Sequence, residues 1–129
     1  MIDTHVLVWW LAAPDKLSSA ARKALRGVNA KSPAVVSAIS VLEIATAARR
    51  GRLALSMPAD DWLRDVGLLP EVRIEPVTAE IARCAGTLDD SLHGDPADRI
   101  IVATARTLAC RLVSADDKLR SHPDVRAVW

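Results

Sequence analysis

The sequence contains no phenylalanine and no tyrosine, and four tryptophans complete its aromatic set. A sheet that reads RNA through rows of stacking aromatics is therefore not expected, and any stacking on bases falls to Trp9, Trp10, Trp62, Trp129 or the planes of arginine side chains. Cysteine is nearly absent. Cys84 and Cys110 are too few for a disulfide scaffold and suit a reduced compartment, where a free thiol behaves as a small hydrophobe. Neither sign of charge dominates: 17 Lys and Arg against 16 Asp and Glu leave a net charge of +1. That removes a strong sequence-independent grip on nucleic acid but not a local basic patch. Long hydrophobic runs are also missing, because the longest charge-free stretches, 4–14 and 32–42, hold 11 residues each, about half of the ~20 needed to cross a bilayer. No membrane span is expected. Asp3 stands where a secretory leader would carry its basic start, so the expected location is cytoplasmic.

What is present describes one globular unit. Half of the 129 residues are hydrophobic and 26% are charged, with only five glycines and seven prolines, which excludes disordered and low-complexity character. No repeat and no flexible linker divides the chain, so residues 1–129 form a single domain. Short apolar runs with the look of buried strands occur at Met1–Thr4, Ala34–Ala38, Val72–Val77, Arg111–Ser114 and Val125–Trp129. Between them, helical spacing predicts helices at Thr4–Ala12, Ser19–Val28, Val41–Arg50, Ala59–Leu68, Ala79–Ser91, Pro96–Ala109 and Asp117–Ser121. The alternation predicts an α/β fold, a mostly parallel sheet flanked by helices. Ser40 and Glu43 read as a capping box, Gly51 as the close of that helix, and Asp95–Pro96 as an N-cap followed by the proline favoured at the first helical position.

Four acids fall at or just past predicted strand ends or in first helical turns: Asp3, Glu43, Asp98 and Asp116. Ligands of open parallel sheets bind beyond the carboxyl ends of the strands, so acids placed there repeatedly can converge on one cleft. Two carboxylates ~4 Å apart repel by about 4 kcal/mol at an effective dielectric near 20, and a cluster therefore calls for protons or a cation. Oxygen ligands without clustered His or Cys suit a hard ion, Mg²⁺ or Mn²⁺; His5, His93 and His122 are too scattered to form a ligand set. Such a centre serves phosphodiester hydrolysis by activated water, needing no side-chain nucleophile, and no G-x-S-x-G elbow or P-loop is present. Each acid also has a plainer reading as a helix cap. Asp3 resists it best, because an apolar run follows directly and would bury the carboxylate. Asp95 reads mainly as a cap with a possible share in metal binding. Arg49, Arg50 and Arg52 surround Gly51, either as cations favoured at a helix end or as contacts to RNA phosphate or an acidic partner. Arg99 reads as structural, and of the neighbouring Trp9 and Trp10 at most one belongs fully in the core.

Four strings in register, IDTHVLVWWL, SAISVLEIATAARRGRL, HGDPADRIIVATA and LVSADDKL, resemble the PIN-domain nucleases, specifically VapC-type toxins of toxin–antitoxin pairs. The resemblance covers nearly the whole chain. It implies a PIN-like three-layer fold, Mg²⁺- or Mn²⁺-dependent endoribonuclease activity on RNA that arrests translation, inhibition by a cognate antitoxin, and a homodimer. By motif, Asp3, Glu43 and Asp98 match the family's principal acids and Asp116 the further one, with Asp95 in a DPxDR variant. In that scheme Asp3 and Asp98 hold the metal while Glu43 and Asp116 complete its surroundings. Thr4 and Ser114 stand where hydroxyls orient the pocket. The two residues before Asp3 are fewer than usual, which implies a stunted first strand and either an upstream start or an amino group close to the acids. Gly94 stands where Arg is frequent and Ser114 where Thr is. The competing readings are a catalytically weak PIN scaffold acting as a protein-binding module, and a phosphatase or receiver-like domain. The phosphatase would want an Asp where His5 stands.

Overall fold

The computed structural model describes residues 1–89 and 95–129; the expectations that touch Asp90, Ser91, His93 and Gly94 lie outside the described residues. Seven α-helices are seen among those described, α1 (Thr4–Ala12), α2 (Ser19–Leu25), α3 (Ala38–Arg49), α4 (Ala59–Leu68), α5 (Ala79–Thr87), α6 (Pro96–Thr107) and α7 (Asp117–Ser121), with a single 3-10 turn, Pro14–Lys16, after α1. Strands β1 (Ala34–Ser37), β2 (Val72–Glu75), β3 (Leu112–Val113) and β4 (Ala127–Val128) alternate with them. β1 pairs with β2 and β3 with β4, both parallel.

The N-terminal segment joins the two pairs. Ile2 forms a parallel bridge with Val113, and its N–H donates to the Val35 carbonyl at 2.9 Å. The lateral order is thus β2, β1, the Ile2 segment, β3, β4. The expected first strand, Met1–Thr4, is reduced to this single bridge, because Asp3 already serves as the N-cap of α1. The Met1 amino group donates to the Arg111 carbonyl at 2.8 Å, which engages it with the chain leading into β3.

Alternation along the strands sorts the core to two faces. Ile2, Val36 and Val113 pack with Val6, Leu7, Ile44 and Trp62 on one side. Leu112 packs with Ile81, Ile101, Val102 and Leu119 on the other. Helices therefore cover both faces, the three-layer arrangement expected of an α/β chain. Among the described residues no helix is long and apolar enough to cross a membrane, and Cys84 and Cys110 are free thiols.

Local chemistry explains most element ends; α2 stops at Leu25 rather than Val28, and the start of α3 also differs from expectation. α3 begins at Ala38, not Val41, and its cap is Ser37, whose hydroxyl accepts from the Ile39 N–H. The Ser40–Glu43 capping box does not form. Ser37 closes β1 directly, so the helix starts without an intervening turn and Ser40 lies inside its first turn, free for another partner. At the other end Gly51 takes φ +67°, with its N–H donating to Ala48 and that of Arg52 to Ala47, a paired closure that the left-handed glycine permits. Asp95 caps α6 through the Ala97 N–H, with Pro96 at the first position as expected. Trp9 and Trp10 are both half-buried.

Candidate active site

The acids are delivered by four elements to one end of the sheet. Asp3 sits where the Ile2 segment becomes α1 and is only 3% exposed. Its Oδ1 accepts from the Thr4 N–H at 2.6 Å, and its Oδ2 accepts from the Ser114 hydroxyl at 2.7 Å. Ser114, next after β3, also accepts from the Asp116 N–H at 3.0 Å. One hydroxyl thus ties the first acid to the turn that carries the last. Asp116 in turn caps α7, its Oδ1 accepting from the N–H groups of Lys118 at 2.7 Å and Leu119 at 3.3 Å.

Glu43 enters from α3. The Thr4 hydroxyl lies 2.6 Å from Glu43 Oε2 and 2.7 Å from Ser40 Oγ, and its single proton goes to the carboxylate, the stronger acceptor. Ser40 is the participant that sequence reasoning missed. Its spacing from Glu43 looks like a cap, and nothing local signals that it faces Thr4 on another helix.

Asp98 lies in the first turn of α6, within the field of all the others. Burial, followed by the charges of Asp95, Asp116, Asp3 and Glu43, pushes its pKa up to about 6. Burial likewise raises Glu43, against the opposing hydrogen bond from Thr4, with Asp3 and Asp95 adding to the rise. Asp3 is raised by burial, which outweighs the stabilising contacts from Ser114, His5 and Thr4. Asp98 is thus the acid on which the charges of the other four named from the sequence all act.

The five acids, with the hydroxyls of Thr4 and Ser114, offer oxygen ligands, the chemistry of a hard divalent cation. Glu43, Asp95 and Asp116 are each anchored through one oxygen, which leaves the second available. Among the described residues no group of three ligating side chains is close enough to form a ready shell. The arrangement fits an ion held through one or two carboxylates with water completing its coordination, the usual habit of Mg²⁺.

The surroundings carry the opposite charge. Glu43 borders two cavities, one of about 420 Å³ shared with Arg50, Arg52 and Asp95, the other of about 460 Å³ shared with Thr4, His5, Trp9, Lys16 and Arg52. Arg49 borders a different hollow with Pro58 and Asp60, which none of the five acids lines. Arg99 is structural, donating to the carbonyls of Ala85, Leu88 and Asp89 at the end of α5. His5 is exposed beside Asp3 whereas His122 is buried at the end of α7, so these two do not combine.

Comparison with known proteins bears on the family and the fold. A model of the PIN domain matches residues 1–125. The chain is 41% identical over 128 residues to Ribonuclease VapC22 of Mycobacterium tuberculosis, covering 99% of this chain and 95% of that protein. A chain in the solved structure of a toxin–antitoxin complex from Klebsiella pneumoniae superposes with a TM-score of 0.63 at 20% identity. That match covers 96% of this chain and 92% of the other and supports the fold.

Proposed function

The chain belongs to the PIN-domain family and, within it, to the VapC-type ribonuclease toxins; from that premise we propose that Asp3, Glu43, Asp98 and Asp116, assisted by Asp95, hydrolyse RNA phosphodiester bonds endonucleolytically. The observation that carries this reading is the convergence of these acids from the starts of α1, α6 and α7 and from within α3, so that Asp98 feels four other carboxylates at once. Mg²⁺ or Mn²⁺, when bound, would offset this repulsion, polarise a phosphate oxygen and acidify a water. Asp3 and Asp98 are the principal ligands in this reading. Thr4 and Ser114 fix Glu43 and Asp3 in position through short hydrogen bonds. A carboxylate of the cluster accepts the proton of the attacking water. The partners that go with this function are an RNA substrate, a cognate antitoxin that suppresses cleavage, and a second copy of the chain.

The test is cleavage of total RNA with and without Mg²⁺, with the new ends sequenced. Asp3→Ala and Asp98→Asn are each expected to lower the metal-dependent rate by at least about a hundredfold. Equal cleavage by wild type and both variants rejects the catalytic assignment. A folded wild-type protein that cleaves nothing favours the protein-binding scaffold instead.

A further inference from the structure

The geometry points to a subsite for one nucleotide of single-stranded RNA in the cavity between α1 and α3, where a base stacks on the His5–Trp9 wall and Lys16 and Arg52 take phosphate charge. This rests on the ribonuclease reading above. At about 460 Å³ the cavity falls within the roughly 300–1,000 Å³ typical of small-molecule sites. Its chemistry is mixed in the way a nucleotide is mixed. The rings of His5 and Trp9 stand 5.9 Å apart at 47°, and Trp9 is braced from the C-terminus by Trp129 at 5.6 Å. The wall is therefore set in place before anything binds, which reduces the ordering cost of binding.

The cations matter because a polyanion approaching clustered carboxylates is repelled. Lys16 comes from the turn after α1 and Arg52 from just past the left-handed Gly51, its backbone fixed by the bond to Ala47. Among the described residues neither makes an ion pair, so both remain available for phosphate. Glu43 borders this cavity and also belongs to the acidic cluster, so the nucleotide held here adjoins the reacting bond. In a chain without Phe or Tyr, Trp9 is a tryptophan that lines a cavity reaching the acids. His5 acts here through its ring face, as a positioning residue.

The test follows the Trp9 indole N–H by NMR in wild-type protein without added metal, titrated with the four nucleoside 5′-monophosphates and, separately, with inorganic phosphate. The Trp9 signal is expected to move with nucleotides and not with phosphate alone. His5→Ala, an exposed position that leaves the core intact, is expected to weaken nucleotide binding about tenfold, and Lys16→Ala to weaken it as well. A Trp9 signal that no nucleotide moves, or that phosphate moves equally, overturns the subsite and leaves the cavity to a protein segment; unchanged binding by His5→Ala overturns it too. Cleavage of total RNA by wild type with Mg²⁺ keeps the two proposals apart. Cleavage with an unmoved Trp9 removes only the subsite, and nucleotide binding without cleavage removes only the ribonuclease reading.

Discussion

At Asp98 one carboxylate carries the cost of the whole cluster. Its folded pKa of about 6 stands above the ordinary 3.8, so the stability linked to its protonation is complete below about 3.8 and lost as pH rises through about 6. Asp3 and Glu43 shift in the same direction. Replacing Asp98 with Asn removes the charge and keeps the shape. Without metal, the melting temperature of Asp98→Asn relative to wild type is therefore expected to rise between about pH 4 and pH 7. Thermal melts across that window check it, and a difference that stays flat or falls contradicts the electrostatic account. Divalent cations should bind more tightly to wild type as pH increases over the same range, because protons and metal compete for these oxygens.

Among the elements, the ends of α3 and α6 show how far local rules reach. Both helices close with the same pair of backbone bonds, the second involving the N–H groups of Ala109 and Cys110 donating to Arg106 and Ala105. α3 places Gly51 at the left-handed position, but α6 places Ala109 there at φ 49°. A β-carbon in that conformation costs about 1–2 kcal/mol, partly offset because glycine loses more backbone freedom on folding. Ala109→Gly should therefore stabilise the protein by about 0.5–1 kcal/mol in urea unfolding; a loss of stability would show that Ala109 is held there by packing. The start of α3 shows the opposite case. Ser37 and Ser40 both precede helical residues with suitable spacing, and choosing between them required knowing that β1 runs to Ser37.

For the whole molecule, the Ile2 segment is the joint. It lies between the β1–β2 and β3–β4 pairs through the Val35 carbonyl and the Val113 bridge, and its side chain is 2% exposed within the core that includes α1 and β1. Ile2→Ala is expected to cost about 2–5 kcal/mol, a large share of the roughly 5–15 kcal/mol that holds a domain folded. Because Asp3 follows directly, the same change should weaken metal-dependent cleavage. Urea titration monitored by tryptophan fluorescence and by circular dichroism checks the stability effect, and a cost under about 0.5 kcal/mol would show that the two halves do not depend on this joint.

Whatever depends on neighbours in the chain was determined by the sequence alone: the bounds of α1, α4 and α7, the caps at Asp95 and Gly51, the alternation that makes an α/β fold, and the order of acid-bearing strings. Caps, turns and apolar spacing act over a few residues, so each can be read in place. Only the tertiary structure decided that Thr4 links Ser40 to Glu43, that Ser114 joins Asp3 to Asp116, and that Lys16 and Arg52 border the same cavity as Trp9. Each of these sets joins positions tens of residues apart or more, as Thr4 with Ser40 and Asp3 with Ser114. They meet because parallel pairing sends each strand's carboxyl end to one edge of the sheet, and the resulting repulsion exists only once the chain has closed.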